Sequence, residues 1–465
     1  MKRVSLFVRH GGGVMIKDKI LGGIIGFCAG DALGVPVEFA SRETLMENPV
    51  TDMRGYGTHN QPPGTWSDDT SMILCFMDSF VQIKKLDYWD LITKYISWKD
   101  EAGYTPYGEV FDIGNTTRSA LEFYVEHPDK YHFAPATGWF GAGGTSEYDN
   151  GNGSLMRILP YAFFPSCASN SKNAIRKNKE ISRTIHEISS LTHNTYRCAI
   201  ACGFYTFIAK RLIAGDDIKE AVRTGVYDAV RAGLGAVSLD EPEGSDNKRA
   251  YSGELKRYAR ILDQEFVNLP QDSIKSSGYV VDTLEAVIWC LLNTTDYESC
   301  VLKAVNLGGD TDTIAALAGG LAGIYYGFEA IPVKWLRQIA KLEYIKQLCS
   351  DFSTVITNIN NPQFSLDDLK VIQRHFHELI LDRNRYNERF LANENKKMPI
   401  ITKLVPEEEK WYPVIGMSGG FKYHLIERDG KPMLISKSWC RVVGGSGQKH
   451  EITTDGCICV EEGFV

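Results

Sequence analysis

Apolar residues recur at helical spacing through most of this chain, and this pattern limits the fold more than any other feature. From Ile16 to Cys28 the apolar side chains follow spacings that place them on one face of a helix. The same pattern recurs in four later segments, 69–85, 197–213, 281–293 and 311–327. Strand-like alternation is scarce before about residue 350, so the sequence predicts a large all-α domain with elaborated loops.

The sequence changes in pattern after the helical region. We predict an all-α domain over 16–362, a helical linker over 363–399 and an appended small β-rich module over 400–465. The module is predicted from an Asp-Gly pair at 429–430 between two short apolar runs, which is typical of a β-hairpin. It contains no residue cluster that indicates chemistry of its own. We therefore expect it to serve packing, specificity or partner binding.

Charge, hydropathy and cysteine usage exclude several classes of protein. With 51 basic and 58 acidic side chains the net charge is −7, which argues against a broad basic surface that binds nucleic acid electrostatically. The longest uncharged apolar stretch, 313–328, has 16 residues, fewer than the ~20 that a membrane-spanning helix needs. The 11 cysteines form no Cys-x-x-Cys pair, which favours reduced thiols in the cytoplasm. We therefore expect a cytoplasmic protein without a membrane span.

Two short motifs place acids and hydroxyls at predicted helix starts. Residues 64–70 read GTWSDDT, residues 308–313 read GGDTDT, and each motif runs directly into an apolar segment. One Ser, Thr or Asp is enough to cap a helix start, because its side chain accepts a hydrogen bond from a free backbone N–H. Two acids and at least two hydroxyls at each start exceed that requirement. Glycine-rich connections at 54–66 and 138–154 are further candidates for functional loops.

A third segment contributes two more acids. Asp31 lies near the C-terminal end of a glycine-rich predicted helix, and Glu38 follows seven residues later. An acid at a helix C-terminus opposes the helix dipole, so Asp31 is either a surface acid or has another role. If the three segments converge, they bring six carboxylates into one site, namely Asp31, Glu38, Asp68, Asp69, Asp310 and Asp312.

Six carboxylates in one site would repel each other strongly. At ~4 Å and an effective dielectric constant of ~20, each close pair costs about 4 kcal/mol, and no Lys or Arg lies within these motifs. Two divalent cations would offset four of the charges, and oxygen donors suit Mg²⁺ or Mn²⁺ better than zinc. The sequence therefore indicates a two-metal site that could activate water and bind substrate hydroxyls.

Four motifs occur in order along the chain, at 30–34 (GDALG) with Glu38, 64–70, 151–157 (GNGSLMR) and 308–313. In their order and residues they resemble the ADP-ribosylglycohydrolase family, over about residues 16–350. The resemblance implies an all-α fold with a binuclear Mg²⁺ or Mn²⁺ centre in a cleft. The metal ligands that it implies are Ser67, Asp68, Asp69, Asp310, Asp312 and Thr313.

The resemblance also implies roles around the metals. Glu38 matches a family glutamate that is proposed to manage protons, and Asp112 is expected near the scissile bond, with an ordinary helix N-cap as its alternative. Successive backbone N–H groups at 151–154, at a helix start, would form an anion cradle for a diphosphate, with a plain turn as the alternative. The substrate-binding residues implied in this way are Gly114, Asn150, Gly151, Asn152, Gly153, Ser154 and His193.

What the resemblance implies about activity is hydrolysis. The expected enzyme cleaves the glycosidic bond between ADP-ribose and an acceptor, which is a protein side chain, a nucleobase of a nucleic acid or a small molecule. Two other readings of the same residues stay open: a non-catalytic ADP-ribose or nucleotide-binding protein, and a metallohydrolase that acts on phosphoesters. The released product distinguishes them, because only glycosidic hydrolysis yields free ADP-ribose.

Overall fold

Helices make up most of the described chain. The computed structural model describes residues 12–127, 141–164, 172–237 and 246–360, and three strands between 412 and 438. The helices are α1 Gly12–Gly34, α2 Arg42–Glu47, α3 Asp68–Ile83, α4 Tyr88–Glu101, α5 Asn115–Glu126, α6 Leu159–Ala162, α7 Lys172–Ser190, α8 Tyr196–Ala214, α9 Ile218–Ala236, α10 Asp246–Leu255, α11 Val280–Leu292, α12 Tyr297–Val305, α13 Thr311–Tyr326, α14 Val333–Leu336 and α15 Leu342–Asn360. The described parts of 12–360 contain no strand, which confirms the predicted all-α architecture there.

Helices α1 and α13 pack against each other more extensively than any other described pair. A Cβ added to Gly30 would lie 2.1 Å from the carbonyl oxygen of Ala315, and one added to Gly34 would lie 2.3 Å from the Cα of Asp312. Only glycine permits backbones to approach this closely. The crossing therefore brings the C-terminal end of α1, which carries Asp31, against the N-terminal end of α13, which carries Asp312.

One helix in the described part of the chain, Ile16–Val37, is long and apolar enough to cross a membrane. The expectation from sequence counted only uncharged stretches and missed this segment, because Lys17, Lys19 and Asp31 interrupt it. In the structure 89% of its apolar window is buried inside the protein, against α13 and its neighbours. Such burial is typical of a core helix, which passes the same test of length and composition.

Asp31 holds the start of α3 against the end of α1. Its carboxylate accepts hydrogen bonds from the backbone N–H of Ser67 at 2.9 Å, the backbone N–H of Thr70 at 3.1 Å and the Thr70 hydroxyl at 2.6 Å. The side chain is fully buried, so the surface-acid alternative is wrong. The acid that opposes the dipole of its own helix satisfies the free N–H groups of another helix.

We expect Asp31→Ala to lower the free energy of unfolding by about 3 kcal/mol, because buried N–H and hydroxyl groups lose a charged acceptor. Urea unfolding of the metal-free protein measures this change. Glu122→Ala, which removes an exposed acid from α5, is the matched control and should change the unfolding free energy by less than about 0.5 kcal/mol. Equal effects of the two substitutions would contradict the structural role of Asp31.

The chain divides into two units, Met1–Thr357 and Asn358–Val465. The second contains an antiparallel sheet of β1 Tyr412–Val414, β2 Phe421–Arg428 and β3 Lys431–Ser438, in which Arg428 pairs with Lys431. The strands lie within the predicted module 400–465. The rest of that range and the predicted linker 363–399 lie outside the described residues, so both stay predictions, as do the domain boundaries.

Candidate active site

The two acidic helix starts meet in the structure. Thr313, at the start of α13, donates a hydrogen bond from its hydroxyl to Asp69 Oδ2, at the start of α3, over 3.1 Å. Glu38, Asp310 and Asp312 each offer a carboxylate oxygen, and these three atoms all lie within 4.8 Å of one another. The structure therefore confirms that these distant segments come together.

The converged acids are buried with little to balance their charge. Asp68, Asp69 and Asp312 are 5%, 1% and 0% exposed. Burial first, and then the surrounding carboxylates, raise the pKa of all three well above the usual range of aspartate. Because the largest electrostatic influences on them come from other acids, the site needs positive charge from elsewhere to hold them ionised.

Several oxygen atoms in this site lack hydrogen-bond partners within the described residues. They are Oδ1 of Asp69 and both carboxylate oxygens of Asp312, all without measurable solvent contact. Buried polar atoms are rarely left unpaired, so these oxygens point to an absent ligand. Carboxylates beside the hydroxyls of Ser67 and Thr313 form an all-oxygen donor set, which fits Mg²⁺ or Mn²⁺.

A histidine that the sequence did not single out stands beside Glu38. His59 Nε2 and Glu38 Oε2 form a short hydrogen bond, and one ligand atom each from Glu38, His59 and Asp112 lies within 4.8 Å of the others. Burial raises the pKa of Glu38 to about 7. The hydrogen bond that His59 donates to Glu38 raises the pKa of His59. The sequence feature that could have indicated a role for His59 is its position within the glycine-rich connection 54–66.

Asp112 faces the acidic site and does not cap a helix. The N-cap of α5 is Gly114, so the alternative assignment of Asp112 as an ordinary N-cap is wrong. Asp112 has a backbone φ of 53°, in the left-handed region that few non-glycine residues adopt. Its pKa is raised, mainly by burial. Gly114 is exposed, and a Cβ added there would meet nothing within 4 Å, so the space in front of it is open.

Residues 153–157 form turns, and the helix start predicted at this position is wrong. The helix that follows, α6, begins only at Leu159. The backbone N–H of Asn152 is also unavailable to a ligand, because it donates to the carbonyl of Gly278 over 3.0 Å. The N–H groups of Gly151, Gly153 and Ser154 have no acceptor within the described residues. Of these three residues Gly151 is partly exposed, whereas Gly153 and Ser154 are buried, so an anion cradle at this turn stays a prediction.

Three predicted substrate-binding side chains are engaged inside the protein. Asn150 donates to two carbonyls of its own loop, at Ser146 and Glu147, and accepts from a threonine hydroxyl. Ser154 is fully buried and accepts from another serine hydroxyl. His193 is 2% exposed, and burial lowers its pKa to about 3, so its ring is neutral at pH 7. These side chains hold the turn in shape, and their contact with substrate stays a prediction.

Asn152 ties the turn to the acidic site. Its side-chain amide donates to Asp310 Oδ2 over 2.7 Å and to the hydroxyl of Thr283 over 3.0 Å. Both N–H bonds of the amide are therefore engaged within the protein. This arrangement orients the Asp310 carboxylate and couples its position to that of the glycine-rich turn.

We expect Asn152→Ala to weaken activation by Mg²⁺ or Mn²⁺ by about tenfold to a hundredfold, because partners that orient a ligand typically contribute this much to metal affinity. A metal titration of hydrolysis measures the shift. Thr283→Val removes the other acceptor of the same amide and leaves the Asp310 bond, so it should have a smaller effect. An unchanged metal requirement in Asn152→Ala would contradict this role.

Comparisons with known proteins agree with this geometry. The family model described as ADP-ribosylglycohydrolase matches residues 14–361. ADP-ribosylarginine hydrolase Tri1 of Serratia proteamaculans is 32% identical over 338 residues, which cover 71% of this chain and 78% of that protein. The ADP-ribosyl-[dinitrogen reductase] glycohydrolase of Rhodospirillum rubrum is 27% identical, covering 70% and 92%.

The fold has a counterpart among solved structures as well. A structure titled "ADP-ribosylglycohydrolase-related protein complex" aligns with a TM-score of 0.54 and 29% identity, covering 74% of this chain and 99% of that one. The family match spans most of the chain and includes all four acidic and glycine-rich motifs. This chain is a member of the ADP-ribosylglycohydrolase family.

Proposed function

We propose that this chain hydrolyses the bond between the anomeric carbon of the distal ribose of ADP-ribose and an acceptor group. The observation that carries the proposal is the convergence of the buried acids Glu38, Asp69 and Asp312 with the partly buried Asp310 in one site. The family membership and the hydrolase relatives support the same reaction. A non-catalytic binder would not need to maintain so many buried acids at such a cost in repulsion.

We infer that the site works with two Mg²⁺ or Mn²⁺ ions. When bound, such ions would supply the positive charge that offsets the acids and holds the ribose hydroxyls. The unpaired oxygens of Asp69 and Asp312 support this inference. The residues proposed to hold the ions are Ser67, Asp68, Asp69, Asp310, Asp312 and Thr313.

The residues of the chain account for the remaining steps. As the bond from the anomeric carbon to the acceptor breaks, positive charge builds on the sugar ring, and the nearby carboxylates stabilise it. A water oxygen forms the new bond to that carbon. Glu38 accepts one proton from this water and returns it to the departing group, with Asp112 as the second candidate. The hydrogen bond from His59 fixes the direction of the Glu38 carboxylate.

The acceptor that we propose is the guanidinium group of an arginine side chain. The named activity of the relative with 32% identity supports this choice. Nucleobase and small-molecule acceptors remain the alternatives. We further propose that the protein acts in the cytoplasm, and that residues 400–465 form a small β-rich module for specificity or partner binding.

A panel of defined ADP-ribosyl conjugates, incubated with the full chain and each metal, tests the function. We expect free ADP-ribose from the arginine conjugate, and loss of the reaction in chelator. Release of AMP or inorganic phosphate would favour a phosphoester hydrolase instead. Tight binding of ADP-ribose without turnover of any conjugate would favour the non-catalytic reading.

A further inference from the structure

Three aromatic rings lie beside the acidic site. The ring of His59 contacts two phenylalanines in tilted arrangements, with centroid distances of 5.1 Å to Phe111 and 6.2 Å to Phe39. We call these three rings the aromatic rim. Phe39 is 68% exposed, although an exposed apolar ring contributes little to the stability of the fold. The exposed ring contacts His59, which is hydrogen-bonded to Glu38, so one residue separates it from the proposed proton acceptor.

The backbone around the rim adopts unusual conformations. Phe39 has a φ of 63°, in the left-handed region that is uncommon for a bulky residue. Its N–H donates to the carbonyl of Gly309 over 2.7 Å, so the second acidic helix-start motif holds it there. Asp112, next to Phe111, is also left-handed, with a φ of 53°. Strained backbone conformations of this kind cluster at functional sites, so the side chains of the strained residues are candidates for a function.

The charges next to the rim favour a cation. The carboxylate of Glu38, which is hydrogen-bonded to His59, offsets a positive charge on that ring. The Asp112 carboxylate lies within the same 4.8 Å cluster, and the structure records no Lys or Arg ion pair to it in the described residues. Aromatic faces beside a carboxylate attract a flat, delocalised cation, which can stack on the rings and approach the acid with its N–H edge.

The rim and the glycine-rich turn meet the same acidic cluster at different residues. The turn is tied to Asp310 through Asn152, whereas the rim adjoins Glu38 and Asp112. If the diphosphate lies on the turn and the distal ribose at the acids, the group that leaves the anomeric carbon has a separate surface to occupy. Phe39 is exposed, and His59 and Phe111 are partly buried, so the rim is a partly exposed surface next to the proton acceptor.

We propose that Phe39 and Phe111, which both contact His59, form the acceptor subsite, and that the two phenylalanine rings select a planar cationic leaving group, of the guanidinium class, over a neutral non-planar one. This inference rests on the proposed hydrolase function and adds the residues that determine acceptor specificity. The rings stack on the acceptor, and Asp112 interacts with its charge.

The test compares two substrates in the full-length protein with metal present. The substrates are peptides that carry ADP-ribose on arginine or on serine, and the variants are Phe39→Leu, Phe111→Leu and, as a conservative replacement, Phe39→Tyr. Tyr227→Leu, which removes an exposed ring from α9, is the matched control. Inhibition by free ADP-ribose is measured in parallel, because it reports on the rest of the substrate site.

We expect each leucine variant to lower the ratio of kcat/KM for arginine over serine peptides by about threefold to thirtyfold, the range of a cation–π contact. Phe39→Tyr should keep the ratio, and inhibition by ADP-ribose should stay unchanged. An unchanged ratio, equal losses on both peptides, or weaker inhibition by ADP-ribose would each overturn the acceptor subsite. If the unsubstituted protein released ADP-ribose from neither peptide, the proposed arginine acceptor itself would fail instead.

Discussion

Asp312→Asn should reduce kcat/KM for hydrolysis by about a thousandfold or more, because it removes a charge from the centre of the site where no other described group can replace it. Both Asp312 oxygens lack hydrogen-bond partners and are buried. An amide at this position keeps the shape of the side chain and loses the negative charge that would hold a cation. Initial rates of ADP-ribose release over a range of metal concentrations measure the effect.

Thermal unfolding separates loss of the metal site from loss of the fold. Saturating Mn²⁺ should raise the melting temperature of the unsubstituted protein, since a ligand that binds only the folded state stabilises it, and should leave that of Asp312→Asn unchanged. The metal-free variant should be no less stable than the metal-free parent, because one of several mutually repelling acids is gone. Asp272→Asn, an exposed acid elsewhere, is the control and should retain activity. Full activity of Asp312→Asn would refute the assignment.

Glu38→Gln should lower kcat by about a hundredfold to ten-thousandfold, the range that a positioned general base contributes, with metal binding less affected than in Asp312→Asn. The glutamine keeps a hydrogen bond to His59 but cannot accept the proton of water. Burial raises the pKa of Glu38 to about 7, and nearby divalent cations would lower it. The base is active when ionised, so the rate should fall as the pH drops through that pKa, at or below pH 7.

The pH profile is the readout that a merely structural role of Glu38 would not change. We expect the acidic limb of kcat/KM to shift in Glu38→Gln, because the Glu38 carboxyl no longer titrates and only the aspartates of the site, such as Asp112, remain to do so. His59→Gln keeps a donor to Glu38 and serves as the comparison. A Glu38→Gln variant with the parental rate and the parental acidic limb would assign the proton transfer to another group, with Asp112 next.

The two acidic motifs at helix starts could be predicted from the sequence to be functional, because they contain more acids and hydroxyls than helix capping requires. Ser67 does cap α3, through a hydrogen bond from the N–H of Asp69, yet capping leaves the second acid and the partner motif unexplained. The electrostatic argument required only that the segments converge. Their convergence depends on glycines along α1 that let α13 approach, and those glycines are visible in the sequence without their partner.

Other features depended on tertiary contacts that no local pattern reveals. His59 is a lone histidine in a loop until Glu38 is placed beside it. The amide of Asn152 looks available to a ligand until Asp310 and Thr283 occupy both of its N–H bonds. The sequence did contain a local indication that no helix starts at 151–157. Pro160 has no N–H to donate to the preceding turn and is tolerated only in the first turn of α6, so it moves the helix start past the glycines.

Equilibrium binding of Mn²⁺ to the purified, metal-free, full-length protein tests the central claim most directly. We predict two ions per chain in the unsubstituted protein, and the loss of at least one tight site in Asp312→Asn and in Asp69→Asn. Retention of both sites in these variants, or no stoichiometric binding to the parent protein, would contradict the account.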